Sequence, residues 1–202
     1  MLLAIDTSAG TSVAIVDSPA GIHVEHSSAD TRRHAEVIGD LIHACLDTAG
    51  VAVTDLTGVV AGMGPGPFTG LRVGIAAART FALGAGIRVL PVVSHDAIAW
   101  GATGPILIAT DARRHEVYWS TYSGVDASRL PIRIAGPSLA KAAELELPVG
   151  YRLVEATEVS AAALGLVAEA LEANGRPFAP NTALYLRSPD VTLSAGPKRV
   201  TS

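Results

Sequence analysis

Leu2-Leu3-Ala4-Ile5-Asp6-Thr7-Ser8-Ala9-Gly10-Thr11-Ser12-Val13-Ala14-Ile15-Val16-Asp17 is the stretch that decides the fold. Leu2 to Asp6 is an unbroken apolar run ending in a carboxylate, the pattern of a strand buried on both faces. A turn at Ala9-Gly10 leads to a second run, Val13 to Asp17, and Ser18-Pro19-Ala20-Gly21 leads to a third, Ile22 to His26. Strands joined by such short links must be antiparallel, because a parallel neighbour needs a crossover of a dozen or more residues. A doubly wound dinucleotide-binding sheet, with a helix between its first two strands, is thereby excluded.

Outward from this meander, a helix is expected over residues 31–49, with Ala35, Ile38, Ile42, Cys45 and Ala49 at helical spacing and Gly50 as its cap. Gly58 to Gly62 reads as a buried strand. Gly64-Pro65-Gly66-Pro67 is a loop into a second helix, 68–84, followed by a strand from Arg88 to Val93 and a short helix capped by Ser94. At Pro105 the pattern restarts. Ile106 to Thr110 ends at Asp111, an Arg-rich turn follows, and Glu116 to Tyr122 alternates as a strand does. Beyond lie a strand near Ile132, a short helix over 138–144, a helix over 159–173 closed by Asn174-Gly175, and a tail after Pro189 expected to be loosely held. Three strands, helix, strand, helix, strand, partly repeated, is the order of an α/β, actin-like fold with two related lobes. The boundary is expected near Gly101 to Pro105, giving lobes of residues 1–103 and, smaller, 104–202.

Hydrophobic residues make up 49% of the chain and charged residues 17%, a globular balance. With 15 Lys plus Arg against 19 Asp plus Glu, the net charge of −4 speaks against tight autonomous binding of nucleic acid. The single cysteine, Cys45, allows no intrachain disulfide and sits where a small buried hydrophobe belongs. The first apolar run is too short, and lacks the basic flank, for a signal peptide, and no run is long enough to span a bilayer, so the expected location is the cytoplasm.

The chemistry-bearing patterns are incomplete. Gly64 to Gly70 looks like a phosphate cradle, yet Pro65 and Pro67 have no N–H to offer and no Gly-Lys-Ser/Thr follows. Gly70, Gly74, Ala78 and Ala82 recur every four residues, a stripe of small side chains on one helix face. Glycine inside a helix costs about 1 kcal/mol against alanine, so some backbone must approach closely: either the chain's own sheet or a partner helix. Asp6 and Asp111 end buried strands where actin-like enzymes hold metal-bound phosphates, and Asp6, Thr7, Ser8 and Asp111 together outline a cleft capable of weak nucleotide binding. Asp111 lacks the glycine pair that lets backbone approach a nucleotide. Of six histidines no two stand four apart, and no carboxylate cluster accompanies them, so no metal site is expected.

Several segments, taken together, resemble one family: Leu3-Ala4-Ile5-Asp6-Thr7-Ser8, Arg33-His34-Ala35-Glu36, Gly64-Pro65-Gly66-Pro67-Phe68-Thr69-Gly70-Leu71-Arg72-Val73-Gly74, Asp111-Ala112-Arg113 with Glu116-Val117-Tyr118, and Tyr185-Leu186-Arg187. In order and spacing they are similar to the TsaB (YeaZ) family, bacterial accessory proteins for threonylcarbamoyl-adenosine at position 37 of tRNAs that read ANN codons. Ala35 and Pro67 stand where that family usually has serine. The resemblance implies a non-catalytic subunit that positions a metal-bearing paralogue, TsaD, with the ATPase TsaE joining the complex, tRNA met only through the complex, and a homodimer when the chain is alone. It implies docking through the first-lobe helices, where His34, Ile38, Leu41, Ile42, Cys45, Gly70, Leu71, Gly74 and Ala78 are the expected interface residues. The rivals are an independent actin-like phosphotransferase and a metallopeptidase.

Overall fold

The computed structural model describes residues 1–20 and 22–187; the tail expected to be loose lies outside them. Strands β1 (Leu2–Asp6), β2 (Thr11–Asp17) and β3 (Ile22–Ser28) form the antiparallel meander that the opening stretch predicts. Helix α1 (His34–Ala49) crosses to β4 (Gly58–Gly62), which pairs parallel with β1, and α2 (Phe68–Ala85) crosses to β5 (Arg88–Val92), giving the order β3-β2-β1-β4-β5. After the short helix α3 (Ser94–Ile98), a second sheet repeats the plan. Strands β6 (Ile106–Asp111), β7 (Glu116–Val125) and β8 (Pro131–Lys141) form a second meander, and β9 (Arg152–Ala156) pairs parallel with β6, so the order is β8-β7-β6-β9.

Strands β1, β2 and β4 are buried on both faces, which is why β1 reads as an unbroken apolar run. Leu3, Ile5, Val13 and Ile15 pack with Ile38 and Cys45 of α1 and with Leu71, Ile75 and Ala78 of α2. Leu2, Ala4, Ala14 and Val16 point the other way, into a core shared with α4 (Ala161–Ala173) through Leu164, Val167 and Ala168. A side chain on Gly165 would come within 2.7 Å of Val16 Cγ2, so glycine there lets α4 lie against β2. Thus α4, which follows the second sheet in the chain, returns to cover the first, and Ala179 and Leu184 beyond it donate to the carbonyls of Pro91 and Met63. In chain order α3 and residues 99–105 lie between the two sheets, and the chain after β9 packs with the first sheet.

Two local expectations need correction, and one strand was not expected. Residues 138–144 are not a helix: Ser138, Leu139, Ala140 and Lys141 pair with Trp119, Tyr118, Val117 and Glu116 on β7, leaving only a 3-10 turn at Ala142–Glu144. The good helix-forming composition of that stretch loses to a ladder that β7 offers and a solitary turn cannot match. Ser94 does not cap α3; its hydroxyl is engaged elsewhere, and the helix has no side-chain cap. Strand β9 went unread, because Arg152-Leu153-Val154-Glu155-Ala156 is short and half exposed, with no clean alternation.

Candidate functional site

Asp6 ends β1 as the sequence places it, but it faces no cleft. It is 1% exposed, and both carboxylate oxygens are taken by the chain itself. Oδ1 accepts from the Ser8 backbone N–H at 2.7 Å and from Ser8 Oγ at 2.5 Å, and Oδ2 accepts from Ser94 Oγ at 2.5 Å. Ser94 Oγ in turn accepts from the Gly64 N–H at 3.0 Å, tying β1, the Gly/Pro loop and α3 into one buried knot. Burial pushes the Asp6 carboxyl above its ordinary range, and the hydrogen bonds from Ser8 and Ser94 offset only part of that. Gly62 is glycine because a side chain there would run into Asp6.

Thr7 is equally committed. Its hydroxyl donates to the Gly70 carbonyl at 2.7 Å and accepts from the Gly74 N–H at 3.0 Å. Around it the small-residue stripe finds its reason. A Cβ on Gly70 would lie 2.7 Å from the Thr7 carbonyl oxygen, and one on Gly74 would lie 2.2 Å from Thr7 Oγ1. The stripe therefore faces the chain's own β1–β2 turn. Gly66 follows the same logic: its Cβ would come within 2.8 Å of Ser8 Cα, so the loop that looked like a phosphate cradle is filled by backbone.

Ser8 and Asp111 are the two predicted cleft residues that do meet. Together with Thr31, Arg113, Glu155 and Thr157 they line a cavity of about 550 Å³ between the lobes. Asp111 is exposed and accepts from the Arg113 backbone N–H at 2.7 Å. The turn that follows holds Arg113, Arg114 and His115 at φ of 63°, 54° and 62°, a left-handed run without glycine that costs about 1 kcal/mol or more per residue. Arg113 Nη2 donates to Thr31 Oγ1 at 3.2 Å across the mouth of the cleft. Glu155 and Thr157 were not foreseen, since they depend on the unread β9.

The histidine at the lobe junction, His95, is fully buried. Nδ1 shares a hydrogen bond with Ser120 Oγ at 2.7 Å and Nε2 with Thr110 Oγ1 at 3.1 Å, and burial pushes its pKa down to about 3. Next to it Asp96 accepts from Tyr122 OH at 2.7 Å and from Arg133 Nε and Nη2 at 3.1 and 2.9 Å. These bonds fasten α3 to the second sheet. Among the described residues, no three His, Cys, Asp or Glu side chains gather as a metal would require, and no helix is long and apolar enough to cross a membrane.

The expected interface residues divide in two. His34, Ile38, Cys45, Gly70, Leu71, Gly74 and Ala78 are buried within the chain, on the inward stripes of the two helices. Leu41 and Ile42 are half-buried, as are Val73, Ala77 and Phe81 on α2, and Leu83 is 84% exposed. Cys45 Sγ donates to the Val13 carbonyl at 3.1 Å, and burial pushes its thiol up to about 11.

The model of a family described as TsaD: tRNA N6-adenosine threonylcarbamoyltransferase matches residues 10–189. An uncharacterized protein of Mycobacterium tuberculosis is 40% identical over 199 residues, covering 94% of this chain and 92% of its own. One of Mycobacterium leprae is 38% identical over 208 residues, and there the match takes in only 55% of the relative. The tRNA threonylcarbamoyladenosine biosynthesis protein TsaB of Escherichia coli is 37% identical over 127 residues, 60% of this chain and 54% of that one. The chain thus spans about half the length of the M. leprae and E. coli relatives it matches. A crystal structure from Pseudomonas aeruginosa, titled as an uncharacterized protein with similarity to peptidase YeaZ, superposes with a TM-score of 0.79 at 26% identity, over 92% of this chain and 99% of that one. The two sheets, each opening with a meander and closing with a parallel strand, are the two lobes of the actin-like fold, and the chain belongs to the TsaB/YeaZ family, within the group that the TsaD model describes.

Proposed function

We propose that this chain acts in tRNA threonylcarbamoyladenosine biosynthesis as an accessory subunit, docking through α1 and α2 onto a metal-bearing TsaD-type subunit that performs the transfer. The observation that carries this reading is the enclosure of Asp6. The carboxylate that an independent actin-like phosphotransferase would present to metal-bound phosphate is spent on Ser8 and Ser94 inside the chain. That argues against the phosphotransferase alternative, and the locking of His95 between two hydroxyls argues against the peptidase one. What remains is a surface. The outward sides of α1 and α2 carry Leu41, Ile42, Val73, Ala77 and Phe81, half-buried by the chain and open on one side. In the absence of the TsaD-type subunit the same face pairs with a second copy, an isologous contact of four helices. A TsaE-type ATPase completes the assembly, and tRNA is met only there.

The test is co-purification with the TsaD-type subunit followed by a tRNA modification assay. The complex is active, each subunit alone is inactive, and Leu41→Glu abolishes association while the isolated variant keeps the wild-type melting temperature. Modification by this chain alone, or full association by a folded Leu41→Glu variant, overturns the reading.

A further inference from the structure

The first turns of α1 and α2 open onto one cavity of about 360 Å³, separate from the enclosed Asp6 and adjoining the interlobe cleft at Ser8, Thr31, Pro67 and Arg113. Neither helix has a side-chain N-cap: the cap positions are Arg33 and Pro67, and neither makes a capping bond. Apart from the Glu36 N–H, which bonds the Arg33 carbonyl at 3.0 Å, the N–H groups of each first turn precede the intrahelical acceptors and carry the positive end of a helix of 16 or 18 residues. His34 supplies the second observation. It is 8% exposed and lines the cavity, Nδ1 is bonded to Thr11 Oγ1 at 2.7 Å, and Nε2 has no hydrogen-bond partner among the described residues. Since every fully enclosed side-chain nitrogen and oxygen described in this chain is bonded, that free Nε2 is one the cavity reaches. A Cβ on Gly70 would stand 3.2 Å from it, so the glycine keeps this edge of the imidazole uncovered.

The rest of the wall has the same polarity. Arg32 and Arg113 line it, as do Thr31 and Thr69, and no carboxylate among the described residues does. The two carboxylates that act on His34 are not among the lining residues: Asp30 Oδ1 accepts from the Arg32 backbone N–H, and Asp6 is closed off by its serines. We infer that this cavity is a binding site for a phosphate group, either the free ion or the phosphate of a phosphomonoester. Two helix N-termini face it, Arg32 and Arg113 line it, and with Nδ1 accepting from Thr11 Oγ1 the His34 ring presents an Nε2–H donor to it, a set that suits an anion. The site differs from the phosphate position of an actin-like enzyme, which the Asp6 knot closes, and it stands whether or not the chain docks on a TsaD-type subunit.

The full chain, labelled with nitrogen-15, is titrated with sodium phosphate against sodium chloride at matched ionic strength and observed by NMR. The backbone amides of Ala35, Thr69 and Gly70 are expected to shift together and saturate, with the His34 ring moving to a higher titration point as phosphate fills the cavity. Arg113→Gln, an exposed position whose loss leaves the fold intact, weakens binding by about tenfold, as does Arg32→Gln. AMP that moves the same amides while adenosine leaves them still identifies a phosphomonoester site; inorganic phosphate alone acting identifies the free ion. Shifts that follow ionic strength without saturating, or an unchanged affinity in both arginine variants, overturn the inference.

Discussion

Gly74→Ala is the substitution that most directly interrogates why α2 carries glycines. The added methyl would lie 2.2 Å from Thr7 Oγ1 and 3.0 Å from Thr7 Cγ2, far inside contact distance. Thr7 is held by the β1–β2 turn and cannot yield without breaking its bonds to the Gly70 carbonyl and the Gly74 N–H. Two buried hydrogen bonds and an overpacked contact cost roughly 3–5 kcal/mol, against about 1 kcal/mol gained from replacing glycine by alanine within a helix. The net is a loss of roughly 2–4 kcal/mol, or about 5–15 °C in melting temperature for a chain of this size. Gly84→Ala on the same helix is the control. A Cβ there meets nothing within 4 Å, so only the propensity gain acts, and stability rises by about 0.5–1 kcal/mol. Urea unfolding of both variants, with Thr7→Ala in each background, closes a cycle whose coupling is expected at about 1–2 kcal/mol for Gly74 and near zero for Gly84. A Gly74→Ala protein as stable as wild type that no longer binds its partner would refute the reasoning, since the stripe would then face outward.

His95→Gln flattens the acid limb of the stability curve. The wild-type imidazole has its pKa lowered from 6.5 to about 3, so between those values the unfolded chain binds a proton that the folded chain refuses. Its contribution, full at neutral pH, is lost as pH falls, by about 2–3 kcal/mol at pH 4.5. Asp6 and Asp96, both raised chiefly by burial, act in the opposite sense, since the folded state takes up their protons first; urea titrations of wild type and variant at several pH values isolate the histidine, and parallel curves would refute its assignment. Leu164→Ala on α4, a fully buried position, lowers stability by roughly 2–5 kcal/mol and loosens amide protection in β1 and β2; loosening confined to the second sheet would show that α4 belongs there. Cys45, buried and with its thiol raised to about 11, stays unmodified by a thiol-specific reagent in the native protein and reacts in urea, whereas rapid native labelling would contradict its burial.

Leu2 to Asp17 determined the fold class unaided. Short links between apolar runs exclude parallel pairing, and this is a constraint of chain length that no tertiary context relaxes. Helices α1 and α2 and strand β4 were equally legible, because their apolar residues recur at the period of the element and left-handed Gly50 closes α1. The fate of the side chains was not. A four-residue repeat of glycine and alanine announces a close approach but is blind to what approaches, and only the β1–β2 turn at Thr7 settles that the neighbour is the chain itself. That Asp6 ends a buried strand is plain in the sequence, but whether its carboxylate is open or enclosed is not. Its enclosure depends on Ser94, 88 residues away, a separation across which no local pattern carries information. Likewise α4 is apolar enough to cover either sheet. It covers the first because Gly165 lets it settle against Val16, a match of shapes that exists only once both surfaces have formed.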